Sequence, residues 1–355
     1  MTDLLQLTAD LVNMASESFH EGPFVDWLEA ELRSLDHLEV ERIGDNLVAR
    51  TSWGKPMRLM LAGHSDTVPA NDNAIARIDG DTLWGVGSAD MKGGLACFLE
   101  AARTVTDSWV DLTYVFYARE EVAGIHSGLV ELIDQRPDLL HADCAILGEP
   151  TDGDIEAGCQ GALRFEVTLA GARAHTARPW RGRNAVHRLA PILADLAAYE
   201  SRRPTIDGCT FGETLQAVHV EGGVSGNVVP DRAMLRIHHR YAPDRTDAEA
   251  EAFVRDLLAP HLDDGDAVEV IDRSLACAPS LTHPILQRLV EGGSSGPPAI
   301  RAKLGWTDVA RLAAIGIPAT NFGSGDPEIA HTKDEHLQRR SIERTWSALH
   351  HLLTA

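Results

Sequence analysis

From about residue 161 to 276 the chain reads strand, helix, strand, strand, helix, strand, and few small folds accept that order. It is the ferredoxin-like arrangement. Residues 162–171 alternate apolar and polar and predict a half-buried strand, and 184–200 predict a strongly amphipathic helix. Residues 214–223 and 232–242 alternate again, 248–262 predict a second helix, and 268–274 a last strand. The flanks carry a different rhythm. Helical spacing over 3–15 and 23–34 precedes strand-like stretches at 38–43, 46–51, 57–63, 112–119 and 144–148, with helices predicted over 91–105 and 127–136. After the block, a helix at 283–292, a loop at 294–298, a strand at 318–323 and a helix at 342–353 return to that rhythm. The expected fold is therefore α/β: residues 1–160 and 277–355 form a domain with a central mixed sheet flanked by helices, and 161–276 form an inserted ferredoxin-like α+β lobe. A length of 355 residues agrees with two domains.

Charge narrows the partners. With 53 acidic against 32 basic residues, the formal net charge of -21 argues against nucleic acid and anionic membrane surfaces. The cysteines Cys97, Cys144, Cys159, Cys209 and Cys277 are odd in number and form no C-x-x-C pair. A disulfide framework is not expected, and a reducing compartment is. The first residues carry acids and no basic segment, so they predict an amphipathic helix and not a signal peptide. No apolar run approaches the ~20 residues that span a bilayer. A cytoplasmic location follows as an expectation.

Polar residues collect just after apolar strands. The strand at 57–63 leads into His64, Ser65 and Asp66, that at 112–119 into Glu120 and Glu121, and that at 144–148 into Glu149. Ligands of open α/β sheets bind outside the carboxyl ends of strands. Each residue alone has a blander reading. Asp90, in a Gly-rich stretch before a helix, reads as an N-cap; His64 reads as a loop histidine, Glu120–Glu121 as a solvated pair, and Glu149 before Pro150 as a turn. Their shared placement favours a site. His331 follows another strand and a Gly-rich turn and adds a second imidazole. Two histidines with several carboxylates suit zinc, and the surplus over three ligands suits two metals sharing a bridging carboxylate.

The stretches at 63–69 (GHSDTVP), 85–94 (GVGSADMKGG), 120–124 (EEVAG), 148–151 (GEPT) and 330–335 (AHTKDE) resemble, in order, the five metal-site motifs of the dinuclear zinc deacylase and carboxypeptidase family. The likeness covers nearly the whole chain. It implies that His64, Asp90 and Glu149 hold one zinc ion and Asp90, Glu121 and His331 the other, two per subunit, with cobalt able to substitute. It implies that Asp66 orients His64 and that Glu120 is the general base. It makes the first domain the catalytic, zinc-binding one and the lobe a dimerisation and lid domain. His175 would then reach from the lobe into the active site of a partner subunit and steady the oxyanion. Asn227, Arg240 and Gly323 would contact substrate.

Within the family, residues 44–51, 174–189 and 330–337 are similar to the actinobacterial succinyl-diaminopimelate desuccinylases. That likeness implies hydrolysis of N-succinyl-L,L-2,6-diaminopimelate to succinate and L,L-diaminopimelate, a step of lysine biosynthesis. Arg173, Arg178, Arg181, Arg183 and Arg188 near His175 form a cationic cluster that would suit a substrate with three carboxylates. Two stretches depart from the better-known desuccinylases: Cys159–Gln160–Gly161, with Arg164 the nearest arginine, and Gly305–Trp306–Thr307–Asp308. Both bear on substrate recognition, so an acetylornithine deacetylase, an aminoacylase, or a dipeptidase or carboxypeptidase remains the alternative.

Overall fold

The computed structural model describes residues 2–354. These form two compact units: 2–157 with 279–301 and 311–354, and 158–278 with 302–310. Residues 302–310, placed by sequence with the flanking segments, cluster with the lobe. Trp306 Nε1 donates to the Leu275 carbonyl at 3.1 Å, and Cys159 Sγ lies 3.8 Å from the Thr307 carbonyl.

The first unit is built on an eight-stranded mixed sheet. In spatial order its strands are Glu39–Ile43, Asn46–Arg50, Asp111–Tyr117, Arg58–His64, Cys144–Leu147, Ala319–Asn321, Ile155–Ala157 and Ile300–Ala302. The Arg58–His64 strand has parallel neighbours on both sides. Its near-continuous apolar sequence follows from burial on both faces, and Leu59, Met60, Leu61 and Ala62 are fully buried. Helix Gly93–Thr104 packs on these central strands, and helices Gly22–Arg33 and Gly128–Gln135 pack toward the hairpin end. Helix Leu4–Val12 begins where the Asp3 side chain accepts from the amides of Leu5 and Gln6.

Close approach of helix to sheet requires glycine at two points. A methyl on Gly63 would overlap the Met91 and Leu95 side chains, and one on Gly94 would strike the Gly148 carbonyl. A small antiparallel sheet of His336–Gln338, Thr82–Trp84 and Arg77–Asp79 lies outside the main sheet; its three-residue strands carry no readable alternation.

The second unit is a four-stranded antiparallel sheet in the order Thr214–Gly222, Arg232–Tyr241, Gly161–Ala170, Ala267–Ser274. In chain order that is 2-3-1-4, with helices Ala185–Ala197 and Asp247–Leu258 as the two crossovers, which is the ferredoxin-like topology expected from the sequence. The inward faces of both helices and of the strands meet in one core that includes Phe165, Val167, Leu189, Ile192, Leu235 and Val254. Helix Asp247–Leu258 starts at a capping box between Thr246 and Glu249. All five cysteines are buried free thiols. Among the described residues no helix is long and apolar enough to cross a membrane.

Candidate metal centre

Three parallel strands of the first unit end side by side. His64 is in register with Tyr117, and Ala62 with Leu147. The segments that leave these strands, carrying His64–Asp66, Glu120–Glu121 and Glu149, therefore emerge together at the carboxyl edge of the sheet. Asp90 arrives from an irregular turn, Ser88–Lys92, in which its own backbone is non-helical (φ -119°, ψ 94°) and its peptide to Met91 is cis. The helix after it starts at Gly93, so Asp90 is not an N-cap. Its side chain is left to point elsewhere.

That direction is toward the histidines. His64 is 1% exposed, with Nδ1 3.0 Å from the Asp66 carbonyl and 3.5 Å from Asp66 Oδ1. Its Nε2 lies 3.0 Å from Asp90 Oδ1. The other oxygen of Asp90 is 3.4 Å from His331 Nε2, which also lies 2.8 Å from Glu121 Oε1. Asp90 thus faces one imidazole with each oxygen. The Asp66 carboxylate accepts from the backbone amides of Glu120 (3.0 Å) and Glu121 (3.2 Å) and from Ser18 Oγ (2.7 Å). One buried group thereby sets the positions of a histidine and two glutamates. The amides of Ala89 and Asp90 both donate to Glu335 Oε1 at 3.1 Å.

Two residues of this site hold left-handed backbone that non-glycine residues seldom adopt: Arg119 (φ 59°), just before Glu120, and His331 (φ 64°). Arg119 is fixed there because its amide donates to Glu21 Oε1, its Nε to the His126 carbonyl and its Nη2 to Glu131 Oε2.

Electrostatics favour a cation at this place. Burial opposes charge on His64, yet Asp66 and Asp90 hold its pKa well above the ordinary value. Asp90 and then Glu121 push His331 up to about 10, against the effect of its partial burial. Asp90 is buried, but His331 and His64 keep it below the usual carboxylate range. Burial, together with the charge of Asp90, pushes Glu335 up to about 7. Protons on the imidazoles balance the surrounding carboxylates, and a metal ion would do the same. The donor atoms also fit. Those of His64, Glu120 and Glu121 lie within 4.8 Å of one another, and so do those of Asp90, Glu121 and His331. Imidazole nitrogen and carboxylate oxygen in two adjoining groupings suit a pair of zinc-like ions.

The second grouping is the trio anticipated by resemblance. The first joins His64 to Glu120 and Glu121, and Glu149 stands outside both. Glu149 is nevertheless buried, at 6% exposure, on the strand end next to His64. Gly323 packs against the segment that carries Glu149: its amide donates to Thr151 Oγ1, its carbonyl accepts from Gly153 and Thr151, and a methyl on it would overlap the carbonyls of Gly148 and Glu149. Ser18, Glu21 and Glu335 were not singled out from the sequence. Glu335 closes the AHTKDE stretch and was open to notice there; the other two lie in a segment with no motif.

The remaining candidates lie in the second unit. His175 is on an exposed loop, paired as a β-bridge with Val228, and its Nδ1 accepts from the Ala177 amide at 3.0 Å. The Asn227 carbonyl accepts from the Thr176 amide at 3.1 Å, so the two loops travel together. Arg240 is half-buried on the Arg232–Tyr241 strand opposite Thr214 and Ala162, and burial followed by the charge of Arg164 lowers its pKa. The arginine cluster is largely committed within the lobe, since Arg173 pairs with Asp231, Arg183 with Asp263, and Arg188 with Asp263 and Asp266. Those three are less suited to meeting a substrate than their sequence spacing suggested.

Residues 60–355 match the model of peptidase family M20/M25/M40. The chain is 46% identical over 338 residues to DapE of Mycobacterium tuberculosis, covering 94% of this chain and 93% of that protein. It is 45% identical over 340 residues to a succinyl-diaminopimelate desuccinylase of Corynebacterium glutamicum, covering 94% and 91%. Among solved structures it superposes on the aminopeptidase PepT of Bacillus cereus with a TM-score of 0.79 at 19% identity, over 99% of this chain and 97% of that one. Another match is YXEP of Bacillus subtilis, a dinuclear metal-binding M20 peptidase, with a TM-score of 0.70 at 16% identity over 98% and 96%. At such identities the structural matches speak for the fold alone. With the match spanning most of its length and the strand-end histidines and carboxylates gathered at one sheet edge, the chain belongs to peptidase family M20/M25/M40.

Proposed function

We propose that this protein hydrolyses N-succinyl-L,L-2,6-diaminopimelate to succinate and L,L-diaminopimelate at a dinuclear zinc centre, as a cytoplasmic homodimer. The amide-hydrolase part rests on Asp90, whose two oxygens face His64 on one side and His331 on the other. The substrate part rests on the 45–46% identity to relatives that carry the desuccinylase name. Five buried thiols with no disulfide support a reducing compartment.

In this reading His64, Asp90, Glu121, Glu149 and His331 hold the ions. When bound, the ions would supply Lewis acidity toward the amide carbonyl and lower the pKa of the attacking water. Every other task falls to the chain. Asp66 keeps His64 Nε2 turned toward Asp90 by occupying the Nδ1 side of the ring. Glu120, whose amide Asp66 pins, takes a proton from the water as it attacks the succinyl carbonyl. It returns that proton to the departing amine as the C–N bond breaks, so succinate and the free amine leave with the proton balance closed. His175 of a partner subunit steadies the oxyanion. Arg240 grips a substrate carboxylate through its planar guanidinium, and Asn227 and Gly323 border the substrate.

The test is metal analysis of the purified protein followed by a competition among three substrates: succinyl-diaminopimelate, acetylornithine and a dipeptide. The expected result is two equivalents of zinc or cobalt per chain and the highest kcat/KM for the first substrate. A higher value for acetylornithine or the dipeptide would overturn the substrate assignment and leave the metal centre standing. Absence of bound metal with no hydrolysis of any of the three would overturn both.

A further inference from the structure

Away from the metal centre, helices Leu4–Val12, Gly93–Thr104 and Arg339–Thr354 contribute to a cleft of about 850 Å3. Glu100 lines it and is 3% exposed. The turns around it are apolar, with Ala96, Cys97, Leu99 and Ala101 fully buried. Glu100 Oε2 has no hydrogen-bond partner, and no cation pairs with this carboxylate among the described residues. Arg339 also lines the cleft, but its guanidinium is already engaged by Asp3 at 2.8 Å and Asp81 at 3.0 Å. A carboxylate taken out of water and left unpaired is costly, and an apolar side chain would fill the same space without that cost. The cleft lacks a positive charge at Glu100.

We propose that this cleft binds a small molecule that carries a primary ammonium group on an alkyl chain. The ammonium meets the Glu100 carboxylate. Trp346, whose ring lies 5.3 Å from that of His350 on the same helix, offers an aromatic wall for the cation and the methylenes next to it. Ser294 and Ser347, with hydroxyls 2.9 Å apart, offer donors and acceptors for a polar group at the far end of the ligand. The volume lies in the range of small-molecule sites, and none of the metal-centre residues lines the cleft.

The test is calorimetry on the metal-loaded wild-type protein with 1,5-diaminopentane as probe and 1-pentanol and pentanoate as controls. The diamine is expected to bind at least about tenfold more tightly than either control. Glu100→Gln, close to isosteric and relieved of a buried charge, is expected to stay folded and keep its hydrolytic activity while diamine affinity falls about tenfold or more. Trp346→Leu gives a second reading, with a smaller loss of affinity. Equal binding of alcohol and diamine overturns the proposal, as does a diamine affinity unchanged in Glu100→Gln. No uptake of the diamine at millimolar concentration overturns it too.

Discussion

Asp66 serves three neighbours with one carboxylate: it backs the His64 ring and receives the amides of Glu120 and Glu121. Glu120 and Glu121 are adjacent, so their side chains leave the backbone in different directions, and one can hold a cation while the other moves a proton. Glu120→Gln keeps the shape and a carbonyl oxygen but cannot accept the proton. Its expected phenotype is unchanged metal content and melting temperature with kcat lowered about 10²- to 10⁴-fold; near-normal turnover in that variant would remove Glu120 from the base role. Glu335 works one layer further out, through the amides of Ala89 and Asp90. Glu335→Gln weakens that grip, and metal affinity is expected to drop about 10- to 100-fold. A chelator competition titration measures it, and an unchanged affinity would mean that Glu335 only fills space. Metal-type residues at strand ends were legible in the sequence because strand ends are legible. Glu21 acts through the Arg119 amide and Ser18 through Asp66, and such contacts leave no pattern in a sequence. Glu149 shows the converse: its place beside His64 was readable, yet its carboxylate stands outside the close groupings.

Long elements were legible because their periodicity is long. The buried strand over 58–64 and the lobe helices announce themselves by apolar spacing, whereas Arg77–Asp79, Thr82–Trp84 and His336–Gln338 have three residues each and cannot show a period. The apolar spacing of the helix predicted over 91–105 runs back to Met91, two residues before the helix begins in the structure. Glycines at 85 and 87 with positive φ and the non-helical Asp90 delay the helix to Gly93. In the lobe, helix Ala185–Ala197 is tied to the loop after the second helix by Arg188, which pairs with Asp263 and Asp266. Arg188 Nη1 donates to Asp266 Oδ1 at 2.7 Å, Nη2 bonds the other oxygen, and the amides of Ala170 and Asp263 donate to the same carboxylate. Burial opposes ionisation of Asp266, but these four donors lower its pKa to about 2. A depressed carboxylate pKa stabilises the fold fully above the unfolded value near 4 and loses that contribution as pH falls toward 2. Asp266→Asn is therefore expected to cost the lobe about 1–2 kcal/mol at neutral pH and to lessen the loss between pH 4 and 2. Hydrogen exchange along Gly161–Ala170 reads both effects; protection that does not differ from wild type at either pH would contradict the account.

At the scale of the whole molecule, His175 belongs to one compact unit and the metal-centre residues to the other. The residues alone say nothing about whether a lobe serves its own chain or a second copy; that expectation came from resemblance, and mixing two defective variants decides it. On the proposed roles Glu120→Gln lacks the base and His175→Ala lacks the oxyanion donor, so each variant alone is expected to be nearly inactive. In a two-fold symmetric dimer with exchange of His175 between subunits, a mixed pair assembles one site with both residues intact and one with neither. Random reassortment makes half the dimers mixed, so an equimolar mixture after subunit exchange should recover about a quarter of wild-type activity. If each lobe serves its own chain, every site in every combination lacks one of the two groups and the mixture stays as inactive as its parents. The same outcome follows if the chain is a monomer, and sedimentation of the wild type tells those two cases apart. Recovery near a quarter would also require His64, Asp90, Glu121 and His331 of the His175→Ala chain to be in working order, so this experiment checks the metal centre and the lobe together.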